Sequence, residues 1–135
     1  MPLVLDAARE RRIDTGGGVL HVTELGGGAP VLLLHGFAGS ARTVQTLASA
    51  LAREFRVIAP DLIGHGRSEA QREAAAYSWD AVTHGLTRLL DVLDIPDAHL
   101  LGFSLGGRIA LQIAARHPGR VRAVATIGSR CAWRD

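Results

Sequence analysis

The stretch Gly102-Phe103-Ser104-Leu105-Gly106 places one serine between two glycines, at a point where the predicted secondary structure changes. Residues 98–101 (Ala-His-Leu-Leu) are a short, mostly apolar run typical of a buried strand, and residues 108–116 have the apolar spacing of a helix. Glycine permits a turn that is too sharp for residues with side chains. A strand, such a turn and a helix are typical of a nucleophile elbow, which exposes the serine oxygen near the helix N-terminus. The alternative is a surface serine in a glycine-rich turn.

The rest of the chain alternates between strand and helix patterns. Two strands flanking the glycine turn at 15–18 predict a β-hairpin at the start. Further strands are predicted at 31–34, 56–59 and 121–127, and Ser40 and Ser78 are predicted N-caps of two helices, the first with Phe55 on its apolar face. The pattern predicts one α/β domain with a mostly parallel sheet and helices on both faces.

Composition excludes several classes of protein. The formal charge is +2 and the basic residues, all arginines, are scattered, so we expect no nucleic-acid partner. The single cysteine, Cys131, excludes an intrachain disulfide. Residues 1–12 lack the apolar core of a signal peptide, and no apolar run approaches the roughly 20 residues of a membrane span. We therefore expect a cytoplasmic protein that does not bind membranes.

Two other motif readings fail. Residues 36–43 lack the Lys-Ser/Thr pair of a phosphate-binding loop, and the elbow lacks the glycine spacing of a dinucleotide site. The histidines show no metal-ligand spacing. We expect no cofactor and no metal ion, and a small molecule as the substrate.

Three stretches in a fixed order resemble the α/β-hydrolase superfamily. Residues 34–37 (Leu-His-Gly-Phe) resemble its oxyanion loop after the third strand. Residues 61–68 (Asp-Leu-Ile-Gly-His-Gly-Arg-Ser) resemble the loop after the fourth strand, and residues 102–107 resemble the elbow after the fifth. A lone Gly-x-Ser-x-Gly is a weak signal, but three motifs in order, each after an apolar strand, are specific.

The resemblance implies a role for each residue of the elbow and the oxyanion loop. Ser104 is the implied nucleophile, and the backbone amides of Phe37 and Leu105 are the implied oxyanion donors. Four residues would support the site: His35, Gly36, Gly102 and Gly106. His35 would brace the oxyanion loop rather than act as the base. The implied activity is hydrolysis of an ester, thioester or related carbonyl substrate.

Arg108 lies four residues after Ser104, which is one turn along the same helix face. The string of residues 104–108 resembles the branch that includes the menaquinone-pathway synthase, a lyase in which this arginine meets an acid group of the substrate. Arg108 is therefore a candidate for binding a substrate carboxylate. A solvated helix arginine and a structural ion pair are the alternatives.

The family supplies its catalytic acid and histidine after later strands, and its cap after the sixth. The resemblance therefore implies that residues 1–135 are the N-terminal part of an α/β-hydrolase domain, without the cap and the last strands. We expect this fragment to be inactive alone, and Asp135 is a weak candidate for the acid. A non-catalytic binding or interaction protein is the alternative. In a chain without the later strands, the strand at 121–127 would be an exposed edge through which two chains could associate.

Overall fold

Six β-strands pair into one mixed sheet in the computed structural model, which describes residues 8–129. The strands are β1 (Arg9–Asp14), β2 (Val19–Leu25), β3 (Ala29–Leu34), β4 (Phe55–Pro60), β5 (Ala98–Phe103) and β6 (Val121–Ile127). The helices are α1 (Gln45–Leu51), α2 (Trp79–Val92) and α3 (Leu105–Arg116). Short 3-10 turns cover Ala41–Val44, Ala74–Tyr77 and Pro118–Arg120.

The strand order in the sheet is β1-β2-β4-β3-β5-β6. The pairs β1–β2 and β2–β4 are antiparallel, whereas the pairs β3–β4, β3–β5 and β5–β6 are parallel. After β3 the chain crosses to β4 on one side, and after β5 it crosses to β6 on the other side. The strand order thus reverses between β3 and β5, where Leu34 pairs with Gly102. Open α/β sheets bind ligands at this kind of switch point, beyond the carboxyl ends of the strands.

The helices cover both faces of the sheet, as predicted. On one face, α2 and α3 pack on the four middle strands through buried residues that include Leu32, Ile58, Leu89, Leu100 and Ile113. On the other face, α1 and the 3-10 turn before it cover a smaller cluster that includes Leu33, Val44, Ala48 and Val57. β3 contributes consecutive leucines to opposite faces, which explains its uninterrupted apolar sequence.

Several boundaries differ from the prediction because the ends of elements carry weak sequence signals. The helix expected after Ser40 begins as a 3-10 turn, and Phe55 lies at the start of β4 rather than on that helix. Helix α3 begins at Leu105, so its first turn contains the two glycines at 106 and 107 and precedes the run at 108–116 whose spacing predicted the helix. Cys131 and Asp135 lie outside the described residues.

Candidate active site

Ser104 stands at the junction of β5 and α3 in a backbone conformation that side chains rarely adopt. Its φ is 53° and its ψ is −114°. Of the three non-glycine residues with positive φ in the range 8–129, Ser104 and Ala38 belong to the two loops at the switch point, and Asp94 follows α2. Such strained residues cluster at functional sites because only the surrounding structure keeps them in place. The structure therefore contains the sharp turn from strand to helix that the sequence predicted at Ser104.

Gly102 and Gly106 make the turn possible by close contact rather than by flexibility. A Cβ atom on Gly102 would run into the backbone of Gly106 and Gly107. A Cβ atom on Gly106 would run into the carbonyl groups of Leu34 and His35 at the end of β3. The N-terminus of α3 therefore packs directly on the backbone of the neighbouring strand.

The loop after β3 lies against Ser104. Gly36 accepts a hydrogen bond from the Gly39 amide (3.0 Å), which closes a turn with Phe37 and Ala38 at its centre. A Cβ atom built on Gly36 would lie 3.4 Å from the Ser104 Cβ. The start of this loop therefore lies beside the serine, with Phe37 next to Gly36 in the chain, and the Leu105 amide is the first of α3, where amides have no acceptor within the helix.

The side chain of Phe37 is 80% exposed. Its ring lies edge-on to that of His65, with 5.9 Å between centroids. The site is thus open on this side, and an apolar ring stands at its rim.

His35 is fully buried beneath the same loop. The Leu62 amide donates to its Nε2 (2.9 Å), which leaves Nδ1 protonated, and Nδ1 donates to the Gly36 carbonyl (2.7 Å). Burial lowers the pKa of the His35 imidazole below its ordinary value of 6.5. Both ring nitrogens are committed to the backbone, which supports a bracing role and leaves neither nitrogen for Ser104.

Arg108 is exposed on the first turn of α3. Its guanidinium carbon lies 5.8 Å from the centroid of the Trp79 ring, at the start of α2. This cation–π geometry was not visible in the sequence, because the two residues are on different helices. None of the ion pairs between described side chains includes Arg108.

Ser129, just after β6, is a residue that the sequence did not single out. Its hydroxyl donates a hydrogen bond of 2.7 Å to the carbonyl oxygen of Ser104. No local motif marks it, since a serine after a strand is common. The contact exists only because β5 and β6 are parallel neighbours.

A cleft of about 340 Å³ lies away from the elbow, at the other side of β4. His21 and Asp61 face it, with 3.4 Å between Nδ1 and the nearer carboxylate oxygen. Asp61 also accepts hydrogen bonds from the amides of Ala41 (2.7 Å) and Arg67 (3.0 Å). These contacts explain the carboxylate as a brace for two loops.

Within residues 8–129, no cluster of histidine, cysteine or acidic side chains has the arrangement of a metal site. In the same range, no helix is long and apolar enough to cross a membrane.

Comparison with known proteins gives consistent matches. The family model for the alpha/beta hydrolase fold matches residues 29–134. The 2-hydroxymuconate semialdehyde hydrolase of Pseudomonas sp. (strain CF600) is 38% identical over 88% of this chain and 43% of its own length. The dihydrolipoyllysine-residue acetyltransferase component of the acetoin cleaving system of Pseudomonas putida is 40% identical over 88% of this chain and 32% of its own.

Among solved structures, epoxide hydrolase A from Mycobacterium thermoresistibile superposes with a TM-score of 0.84 and 34% identity, covering 88% of this chain and 38% of that one. The chain thus spans about a third of the length of the curated relatives it matches, with shares of 32%, 27% and 37% among them.

Proposed function

The chain belongs to the α/β-hydrolase family, and we propose that Ser104 is the nucleophile of a serine hydrolase that acts on an ester, a thioester or a related carbonyl compound. The observation that carries this proposal is the strained backbone of Ser104 (φ 53°) at the switch point of the sheet, beside the turn at 36–39. The amides of Phe37 and Leu105 are the proposed donors to the oxyanion. Removing one such donor typically lowers kcat by about 10²–10³.

The identity of the nucleophile favours a carbonyl substrate over an epoxide. A serine oxygen that opened an epoxide would form an alkyl ether, which water does not cleave under mild conditions. The same oxygen attacking a carbonyl forms an ester, which water hydrolyses in a second step. Hydrolases for both kinds of substrate are among the relatives. Ser104 therefore points to the carbonyl class.

In the proposed reaction, a base removes the proton of the Ser104 hydroxyl as its oxygen attacks the carbonyl carbon. The carbonyl electron pair moves to the oxygen, which the two amides stabilise. The pair returns as the bond to the leaving group breaks and the leaving group takes up the proton. Water then attacks the carbonyl of the acyl-serine by the same steps, which releases the acid and restores the hydroxyl.

Within residues 8–129, no histidine is placed to act as the base for Ser104. All six lie in this range, and none of them hydrogen-bonds to Ser104 there. His35 is bonded at both nitrogens, and His65 bonds the Ile63 carbonyl (3.0 Å). We therefore expect the 135-residue chain to be a poor esterase by itself, with at most the residual rate that oxyanion binding supplies.

Added imidazole provides a direct test, because it can take the place of a side-chain base. We expect imidazole to accelerate hydrolysis of p-nitrophenyl acetate by the protein beyond its effect in buffer. Ser104→Ala should abolish this excess rate, and Ser49→Ala, a matched change on α1, should preserve it. An excess rate that is equally absent in the wild-type protein and in Ser104→Ala would favour a non-catalytic binding protein instead.

A related lyase or synthase acting on a carboxylate-bearing substrate is the second candidate. It is favoured by Arg108, exposed one turn from Ser104 with its guanidinium over Trp79. In the imidazole assay, Arg108→Ala should then slow a monoester of a dicarboxylic acid far more than p-nitrophenyl acetate. Equal losses for both esters would contradict this role for Arg108.

A further inference from the structure

Residues at and just after the end of β6 bond both backbone polar groups of Ser104. The Ser104 amide donates to the Ile127 carbonyl (2.9 Å), and the Ser104 carbonyl accepts from the Ser129 hydroxyl (2.7 Å). The same carbonyl also accepts the longer helical bonds from the amides of Gly107 (3.0 Å) and Arg108 (3.2 Å). The hydroxyl bond is the shortest of the three and the only one that comes from a side chain.

The carbonyl of Ser104 and the amide of Leu105 belong to one peptide group. That group is planar, and in the trans form its C=O and N–H point in opposite directions. A bond that fixes the carbonyl therefore also fixes the direction of the Leu105 N–H. A hydrogen bond accepted by a carbonyl also polarises its peptide group and strengthens the N–H as a donor.

We propose that Ser129 is a positioning residue for oxyanion binding: its hydroxyl orients and polarises the 104–105 peptide, and thereby aims the Leu105 N–H at the developing oxyanion. This inference rests on the proposed function of Ser104 and Leu105. It gives a role to a side chain that is 25 residues from Ser104 in sequence and that acts through the peptide group of another residue.

Gly107 fits this role. A Cβ atom at position 107 would run into the Oγ and Cβ atoms of Ser129. A glycine at this position therefore leaves the space in which the hydroxyl reaches the carbonyl. Since Ser104 is in a sparsely populated conformation, its peptide does not keep this direction by intrinsic preference. The Ser129 hydroxyl therefore adds to the bonds from the Gly107 and Arg108 amides in holding it.

The kinetic test compares an ester with the matching thionoester in the imidazole assay. The developing sulfur anion of a thionoester is a weak hydrogen-bond acceptor, so its hydrolysis depends little on oxyanion donors. Ser129→Ala should lower the Ser104-dependent ester rate about tenfold, which is less than the loss from removing a donor outright. The thionoester rate should change little. Ser129→Thr keeps the hydroxyl and should restore the ratio of the two rates, and Ser49→Ala should leave it unchanged.

The second measurement does not need activity. Removing the bond to the Ser104 carbonyl should move the amide resonance of Leu105 upfield in the nitrogen dimension of a proton–nitrogen correlation spectrum. We expect this shift in Ser129→Ala, and not in Ser129→Thr or Ser49→Ala. If Ser129→Ala does not melt cooperatively, Ser129→Cys fills the same space with a weak donor and serves as the second variant.

The outcomes separate the two proposals. An unmoved Leu105 resonance in a folded variant overturns the role of Ser129, and so do equal losses for the ester and the thionoester. A moved resonance together with a wild-type rate that does not depend on Ser104 counts against the proposed function alone. A moved resonance together with a reduced rate ratio supports both.

Discussion

Replacing Gly106 by alanine should destabilise the protein, whereas the same replacement at Gly85 should stabilise it. Both glycines lie in helices, where alanine is favoured over glycine by about 1 kcal/mol. At Gly85, the nearest atom to an added Cβ is the Thr15 Oγ1 at 3.7 Å, which is an ordinary contact. At Gly106, the Cβ would run into the carbonyl groups of Leu34 and His35, which are backbone groups at and just after the end of β3.

The two effects differ in sign and can be separated by size. Overpacking typically costs about 1–3 kcal/mol, and a clash with backbone belongs at the upper end because no side chain can turn away. After the helix gain is offset, Gly106→Ala should lower the free energy of unfolding by about 2 kcal/mol. Gly85→Ala should raise it by up to about 1 kcal/mol. The two variants should therefore differ by about 3 kcal/mol, or about 10 °C in Tm for a chain of this size.

Urea unfolding followed by circular dichroism measures both values, provided that the slope with denaturant stays the same. Gly119→Ala is a further control, because a Cβ there would meet nothing within 4 Å. A Gly106→Ala variant as stable as Gly85→Ala would refute the argument, since it would mean that the end of β3 can move away from α3 at little cost.

Three further predictions concern other parts of the molecule. Arg120→Ala should cost about 1–3 kcal/mol of stability, because the guanidinium donates to the carbonyls of Pro96 (2.6 Å) and Ile95 (2.9 Å). As a control, Arg88→Ala removes only a long exposed contact and should cost less than about 0.5 kcal/mol in the same unfolding assay. Because burial lowers the pKa of His35, protonation favours the unfolded chain. The contribution of His35 to the free energy of unfolding should be complete above pH 6.5 and should fall, by up to about 1.4 kcal/mol per pH unit, as the pH drops toward the lowered pKa. His35→Gln should reduce that slope in melts at stepped pH. We also propose that β6, the last strand of the described sheet, mediates self-association. Light scattering should show a dimer or larger species that depends on concentration and that Thr126→Lys reduces. A strictly monomeric protein would contradict this.

The sequence was sufficient to predict the elements and the α/β class, because most elements carry a strong local signal. The run of Val31 to Leu34 is apolar at every position, and this predicted a strand buried on both faces. Ser78 was predicted to cap α2, and its Oγ accepts from the Ala81 amide at 3.1 Å. Phe55 was misassigned to a helix because an aromatic residue at helical spacing looks the same whether the helix continues or a strand begins.

The candidate site was predictable only in the part that lies in short motifs. Gly102 and Gly106 have local reasons that a motif preserves, although the atoms they avoid belong partly to β3. The contact between Arg108 and Trp79 and the bond from Ser129 to Ser104 join residues that are 29 and 25 positions apart. Their proximity depends on which strands and helices are neighbours, and sequence spacing does not contain that information.

The register between β5 and β6 connects the stability of the sheet with the geometry of Ser104, the proposed nucleophile. Phe103 pairs with Ile127, so the chain leaves β6 beside the elbow, where the Ile127 carbonyl and the Ser129 hydroxyl bond to Ser104. A shift of β6 by one residue would move both groups away from Ser104 and turn every β6 side chain to the opposite face. Because the strained φ of Ser104 persists only while its surroundings hold it, the pairing of an exposed strand controls the direction of the serine and of the Leu105 amide. Any contact that stabilises β6 in this register should therefore also favour the Ser104 geometry that the proposed function requires.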